Sequence, residues 1–418
     1  MAGTERSSSR TDLVRLGLGD LEAAEQAFDE LVELLTLSRA EVITDLGLAA
    51  DPDGALRCAS RIARRNPDAV AATLRDPHAR RVFWLLLGAS DGFGEFYLRH
   101  PEELADLATA GEILPRADEM QRELQESVGA EDGFAASGDE SAWVALRVRY
   151  RRLLARIAAF DLRAPDAIDV LPEVAAALAD AAGAALEASL SVARTRISQG
   201  RPGGLFPREQ VAATRLSIIG MGKTGARELN YVSDVDVIFV CGAAEGAEEE
   251  WGASRLIDIA TRLAVQTMQG ISGIEIEPPL WEVDANLRPE GKQGALVRTL
   301  ESHLSYYDRW AGSWEFQALL KARPLAGDLE LGREYVAAVQ PKVWTSAARE
   351  NFVDSVQRMR ERVTDHIPAH EVPLQIKLGP GGIRDIEFTV QLLQLVHGLT
   401  DDRIRQRGTL DALDALVA

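Results

Sequence analysis

From about Asp12 to Gln199, apolar residues recur every three or four positions, the spacing that buries one face of a helix. Leu21, Ala24, Phe28, Leu31, Leu34 and Leu35 form the first such stripe. Trp143, Leu146, Leu153, Leu154 and Ile157 form another, on a segment that also carries Arg147, Arg149, Arg151, Arg152 and Arg156. That basic run reads either as a phosphate- or partner-facing stripe or as a solvated face paired with nearby acids. Asp76-Pro77 and His100-Pro101 interrupt the pattern, because a residue preceding proline is driven out of helical backbone. Helix boundaries are predicted at both. Gly129 to Glu140 is polar and glycine-bearing, and predicts a loop or a short disordered insert. Residues 12–200 therefore predict a helical domain, preceded by an aperiodic tail over residues 1–11.

Beyond the breaker Arg201-Pro202-Gly203-Gly204 the period changes. Leu216–Gly220 and Val235–Val240 are short runs rich in branched residues and predict strands of a mixed sheet. Glu249 to Gly270 predicts a helix through Leu256, Ile259, Leu263 and Met268. Ile274 to Asp284 predicts a further strand, interrupted by Pro278-Pro279. From about Thr299 the helical spacing returns, apart from a loop at Pro368–Gly382. The expected fold is α+β, with a sheet-bearing core over residues 201–300 and a second helical region over residues 301–418. The last helix, Leu410 to Ala418, stops without a cap or tail, which predicts a longer parent chain.

Composition narrows the function. The 418 residues exceed one ordinary core, and 46% are hydrophobic. A formal charge of −19 repels a polyanion and argues against a nucleic-acid binder. It leaves room for a nucleotide in a locally positive or metal-bearing pocket. No charge-free stretch of about 18 apolar residues is present, so no membrane helix is expected. The N-terminus has no apolar core of a secretion signal. Cys58 and Cys241 lie too far apart in sequence for a zinc or disulfide framework, and suit a reducing, cytoplasmic setting. Among the histidines, His303, His366, His370 and His397 have no metal-ligand spacing, since Pro368 spoils the face shared by His366 and His370.

The chemistry lies in Gly220 to Val240, GMGKTGARELNYVSDVDVIFV. Asp234 and Asp236 stand two apart on a strand, so both carboxylates point to one face. Held close they repel, and a divalent cation between them relieves the repulsion. Gly220, Gly222 and Gly225 make a loop whose backbone N–H groups can approach a phosphate, with Lys223 adding positive charge. The loop is not a P-loop, because Ser217 stands where the first glycine belongs. Nor is it a dinucleotide fingerprint, because the next strand follows within about ten residues and leaves no room for a crossover helix. A third carboxylate is expected on a neighbouring strand, and Asp284 fits. Arg288 and Lys292 follow it and could neutralise phosphate charge.

Strand, glycine loop, S-D-x-D and a distal Asp resemble the polymerase-β-like nucleotidyltransferase superfamily. Within it, Gly220 to Phe239 resembles the motif of glutamine synthetase adenylyltransferases. So do Val283–Leu300 (VDANLRPEGKQGALVRTL), Tyr306–Asp328 and Ile376–Gln391 (IKLGPGGIRDIEFTVQ), in the family's order. Phe93–Leu107 and Leu146–Leu162 extend the likeness over most of the remaining chain. Thr224-Gly225-Ala226-Arg227 departs from it, where many relatives read Leu-Gly-Gly before the basic or polar residue.

The resemblance implies two such units in tandem in family members, and the wording ELNYVSDVD is similar to the first. That unit removes AMP from a tyrosine of glutamine synthetase by phosphorolysis, giving ADP; the second adds AMP from ATP. It further implies Asp234, Asp236 and Asp284 as ligands of two Mg²⁺ ions about 3.5–4 Å apart. Gly222 and Ser233 would hold phosphate, with Lys223, Arg288 and Lys292 stabilising charge. Arg384, Asp385 and Glu387 would support the site or a partner surface, or simply begin a helix. Implied partners are adenylylated glutamine synthetase, the PII signal protein, and phosphate, ADP or ATP; neither nucleic acid nor membrane is expected. Forward transfer of AMP from ATP, a silent PII-binding module and a nucleic-acid nucleotidyltransferase are the alternatives, the last disfavoured by the acidic balance.

Overall fold

The computed structural model describes residues 11–35, 38–199, 205–348, 352, 358, 367–368, 370 and 372–418. The breaker at 201–204, most of the expected tail and His366 lie outside them. The chain divides into two units, Met1–Arg116 with Arg149–Ala177, and Ala117–Val148 with Leu178–Ala418.

The described residues of the first unit are helical, and its boundaries follow one local device. Asp51, Asn66 and Asp76 each precede a proline that opens a helix: Pro52–Arg65, Pro67–Arg75 and Pro77–Ala89. Each side chain accepts a bond from a backbone N–H three residues on, at 3.0, 3.2 and 2.8 Å. Such a cap contributes about 1 kcal/mol, and proline at the first helical position sacrifices no needed N–H. The predicted first stripe becomes Leu21–Leu35, which buries Ala24, Phe28, Leu31 and Leu35 and leaves Leu34 exposed.

In the second unit a mixed sheet is built around β1 (Thr214–Gly220) and β2 (Val235–Ala243), paired antiparallel. β3 (Val283–Asp284) and β4 (Val297–Thr299) both run parallel to β2, one at its start and one near its end. β5 (Arg323–Gly327) lies antiparallel to β1 at the far end of the sheet. Ile219, Ile238 and Val240 are buried in one cluster with Leu331, Tyr335 and Val339 of the Leu329–Thr345 helix. Val237 and Phe239 alternate with them and are also buried. A sheet covered on both faces explains why β2 reads as an almost unbroken apolar run.

Three expectations change. The strand expected over Ile274–Asp284 shrinks to Val283–Asp284. The helix expected from Glu249 is broken at Gly252, whose φ is +83°, into Ala247–Trp251 and Ala253–Ser272. The region after residue 300 contains a strand, β5, hidden by its Pro324 and Gly327. An end strand tolerates proline because it lacks a partner on one side. Of the two readings of Gly129–Glu140 the loop holds: Ala135 N donates to Ser191 O (3.0 Å) and Thr195 Oγ1 to Ala135 O (2.8 Å).

The basic helix Glu140–Arg163 is not a phosphate-facing stripe. Arg147 is fully buried. Its guanidinium donates to Gly270 O (3.1 and 2.9 Å) and Gly273 O (2.9 Å) at the end of the Ala253–Ser272 helix, and to Glu277 O (2.6 Å) in the segment that follows. Arg152 and Arg156 pair with Glu103 and Asp106. The Ala167–Gln199 helix is long and apolar enough to pass for a membrane span, but its most apolar window is 83% buried inside the protein. It is a core helix.

Candidate active site

The register of β2 and β3 builds the acidic centre. Asp236 is the second residue of β2 and pairs directly with Asp284, the last of β3. Asp234 sits just before β2, two residues from Asp236 and hence on the same side. One carboxylate oxygen from each of the three lies within 4.8 Å of the others. Burial first, then the charges of Asp234 and Asp284, push Asp236 up to about 6, against opposing pulls from Lys223 and Arg384. Asp284 is fixed in turn by Asn286 N, which donates to its Oδ1 at 2.6 Å. Three converging carboxylates that repel one another, all with hard oxygen donors, fit a divalent cation of the magnesium or manganese class.

The glycine loop is shaped around this centre. Met221 N donates to Asp236 O at 2.9 Å, and Gly222–Ala226 forms a short helical turn. Gly222 has φ +49°, and a Cβ there would stand 2.4 Å from Asp236 Oδ2. Gly225 is needed for a different reason: a Cβ would meet Lys321 O at 2.0 Å and Gly220 O at 2.5 Å. The far end of the turn is closed by Arg323, which donates to Gly225 O (3.3 Å) and Thr224 O (3.0 Å).

The remaining sequence candidates divide. Lys223 is half-buried beside the acids and donates to Asn230 Oδ1 at 3.0 Å. Burial and then the neighbouring Lys377 lower its pKa, while Asp234, Asp236 and Glu387 oppose the shift. Ser233 Oγ turns onto its neighbour, donating to Asp234 O at 2.8 Å. Arg288 is engaged by its own loop, with bonds to Ala285 O (2.7 Å), Gly294 O (3.2 Å) and Lys292 O (3.3 Å). Lys292 is exposed in the Gly291–Gln293 turn.

Sequence reasoning singled out Glu387 but missed the buried network behind the loop to which it belongs. Lys321 is 5% exposed. Its ammonium bonds Glu387 Oε1 (2.5 Å), Glu228 Oε2 (3.3 Å) and Thr409 Oγ1 (3.3 Å). Glu228 follows the glycine loop and also accepts from the backbone and hydroxyl of Thr409. A buried ammonium is tolerable only with such partners. The network ties the loop to the Ile383–His397 and Thr409–Val417 helices. Lys377 was also missed. Both lysines lie inside family-like segments, and their spacing alone carries no signal.

A sequence model of the family described as glutamate-ammonia ligase adenylyltransferase matches residues 82–338. A second, described as GlnD PII-uridylyltransferase, matches residues 352–418. A protein of Leifsonia xyli subsp. xyli is 57% identical over 413 residues, covering 99% of this chain and 41% of its own. A Streptomyces avermitilis protein is 46% identical, covering 99% of this chain and 39% of its own. A Bifidobacterium longum subsp. infantis protein is 43% identical, covering 98% and 38%. All three are named bifunctional glutamine synthetase adenylyltransferase/adenylyl-removing enzyme. The chain thus spans about two fifths of the length of these relatives.

Proposed function

We propose, for a chain that belongs to the glutamate-ammonia ligase adenylyltransferase family, that it removes AMP from a tyrosine of glutamine synthetase by phosphorolysis. The observation that carries this reading is the convergence of Asp234, Asp236 and Asp284 beside a glycine loop packed directly against Asp236. An orthophosphate oxygen attacks the AMP phosphorus, the bond from phosphorus to the tyrosine oxygen breaks, and that oxygen takes up a proton. The products are ADP and unmodified tyrosine.

In such a displacement the protein positions the reactants and offsets charge. The three aspartates would hold Mg²⁺, two ions in the full site, which would supply charge neutralisation at the phosphoryl oxygens. Gly222 leaves room for the Asp236 carboxylate against the loop. Lys223, steadied by Asn230, presents positive charge at the loop. Arg288 keeps the backbone after Asp284 in shape, and so positions that carboxylate indirectly. Adenylylated glutamine synthetase is the expected macromolecular substrate, the PII signal protein a regulatory partner, and the cytoplasm the setting. The relatives' names also include the forward activity, so AMP transfer from ATP is the competing reading.

The test supplies the chain with adenylylated glutamine synthetase, Mg²⁺ and orthophosphate. ADP is expected, and Asp236→Asn should abolish its release. AMP in place of ADP would contradict phosphorolysis. Incorporation from ATP into unmodified target, with no release from modified target, would reverse the assigned direction.

A further inference from the structure

The segment after Ile376 folds back on itself. Ile383 N donates to Ile376 O (2.9 Å) and Arg384 N to Lys377 O (3.0 Å), so Lys377 and Arg384 stand side by side at the start of the Ile383–His397 helix. Glu387, one turn further on, is bonded to Lys321, whose carbonyl abuts Gly225 and whose ammonium also reaches Glu228. The buried network therefore holds this pair against the glycine loop.

Electrostatics agrees with that placement. Lys377 lies within electrostatic reach of Lys223, and Arg384 within reach of Asp236. Arg384 Nε is shielded from solvent and has no hydrogen-bond partner among the described residues. Its guanidinium lies 5.8 Å from the Phe388 ring centroid. Lys377 and Arg384 thus add positive charge to that of Lys223 at the border of the acidic centre, where it can meet the charge of a phosphate. Arg288 is already engaged with three carbonyls, so it is a poor candidate for that anion.

We propose that Lys377 and Arg384, with Lys223, bind the phosphate beyond the one being transferred: the β-phosphate of ADP, or the orthophosphate from which it forms. This rests on the nucleotidyl-transfer reading of the three aspartates. It moves the phosphate-binding role away from Arg288 and Lys292 to a segment more than eighty residues downstream.

Calorimetry with Mg²⁺·ADP and Mg²⁺·AMP measures the contribution of that second phosphate directly. The wild-type chain should prefer ADP by roughly tenfold or more. Lys377→Met, at an exposed position, and Arg384→Gln should each bring the ratio toward one while leaving AMP affinity and the melting temperature in place. With adenylylated target the same variants should raise the KM for orthophosphate by about tenfold and change kcat less. Unchanged ratios in both variants, or a collapse caused by Arg288→Gln instead, would overturn the assignment. If the wild type prefers ADP and the variants do not, yet no ADP is released from modified target, the phosphate site stands and the deadenylylation reading falls.

Discussion

Gly222→Ala would add one methyl carbon 2.4 Å from Asp236 Oδ2, where ordinary contact begins near 3.4 Å. The carboxylate would have to retreat by about 1 Å. Gly222 also has φ +49°, a left-handed conformation that costs a side chain about 1–2 kcal/mol. Turning Asp236 off its rotamer adds about 0.5–1.5 kcal/mol. The combined loss of stability, roughly 2–3 kcal/mol, is one that a folded domain of ordinary stability survives.

The site should suffer more than the fold. Its three oxygens lie within 4.8 Å of one another, and shifting one breaks that convergence. A misplacement of about 1 Å costs on the order of a hundredfold in rate. Affinity for Mn²⁺, used as the probe ion in calorimetry, should fall at least about tenfold. Gly225→Ala is the control, because its Cβ would strike the backbone oxygens of Lys321 and Gly220, which cannot turn aside. Urea unfolding should show the larger loss there. A Gly222→Ala protein that binds Mn²⁺ and turns over as wild type does would refute the claim that the loop sets the place of Asp236.

Two further substitutions test the fold around the site. Arg147→Met should lower stability by about 3–5 kcal/mol in urea titration, because it strips bonds from three carbonyls in the interior; a loss under about 1 kcal/mol would contradict the capping role. Burial, partly offset by its Nδ1 contact with Thr299 O at 3.1 Å, lowers the pKa of His303 to about 4. It is neutral in the native protein but protonates near 6.5 when unfolded, so its contribution is complete above pH 6.5 and is lost as pH falls toward 4, by up to about 3 kcal/mol. His303→Gln should flatten the acid limb of stability against pH, and an unchanged limb would argue against a neutral buried imidazole.

The legible parts of this chain were those encoded within a few residues. Asp51-Pro52, Asn66-Pro67 and Asp76-Pro77 state their helix starts locally, and Asp76-Pro77 was read as such. Spacing by two placed Asp234 and Asp236 together, and a distal Asp284 was expected on an adjacent strand, where the register puts it. Tertiary context hid the rest. Arg147 looks like any residue of a basic helix until carbonyls more than a hundred residues away are brought to it. β5 carries a proline and a glycine that deny a strand by local rules, and only its place at the end of the sheet permits it. Lys321 gave no sign of burial, since lysine is almost always exposed and its three partners come from three separate segments.

That same end strand bears on how the protein behaves in a crowded solution. A sheet ends in a row of backbone groups that a neighbouring molecule can extend, and extension is the first step toward aggregation. On β5, Pro324 has no N–H to offer, and the N–H of Gly327 is held by the carboxylate of Glu187. The residues that made the strand hard to recognise also blunt its edge as a template. The Ala167–Gln199 helix completes the cover, since a Cβ at Gly183 would stand 3.2 Å from Leu325 O, so the chain's own helix lies where an added strand would have to pair.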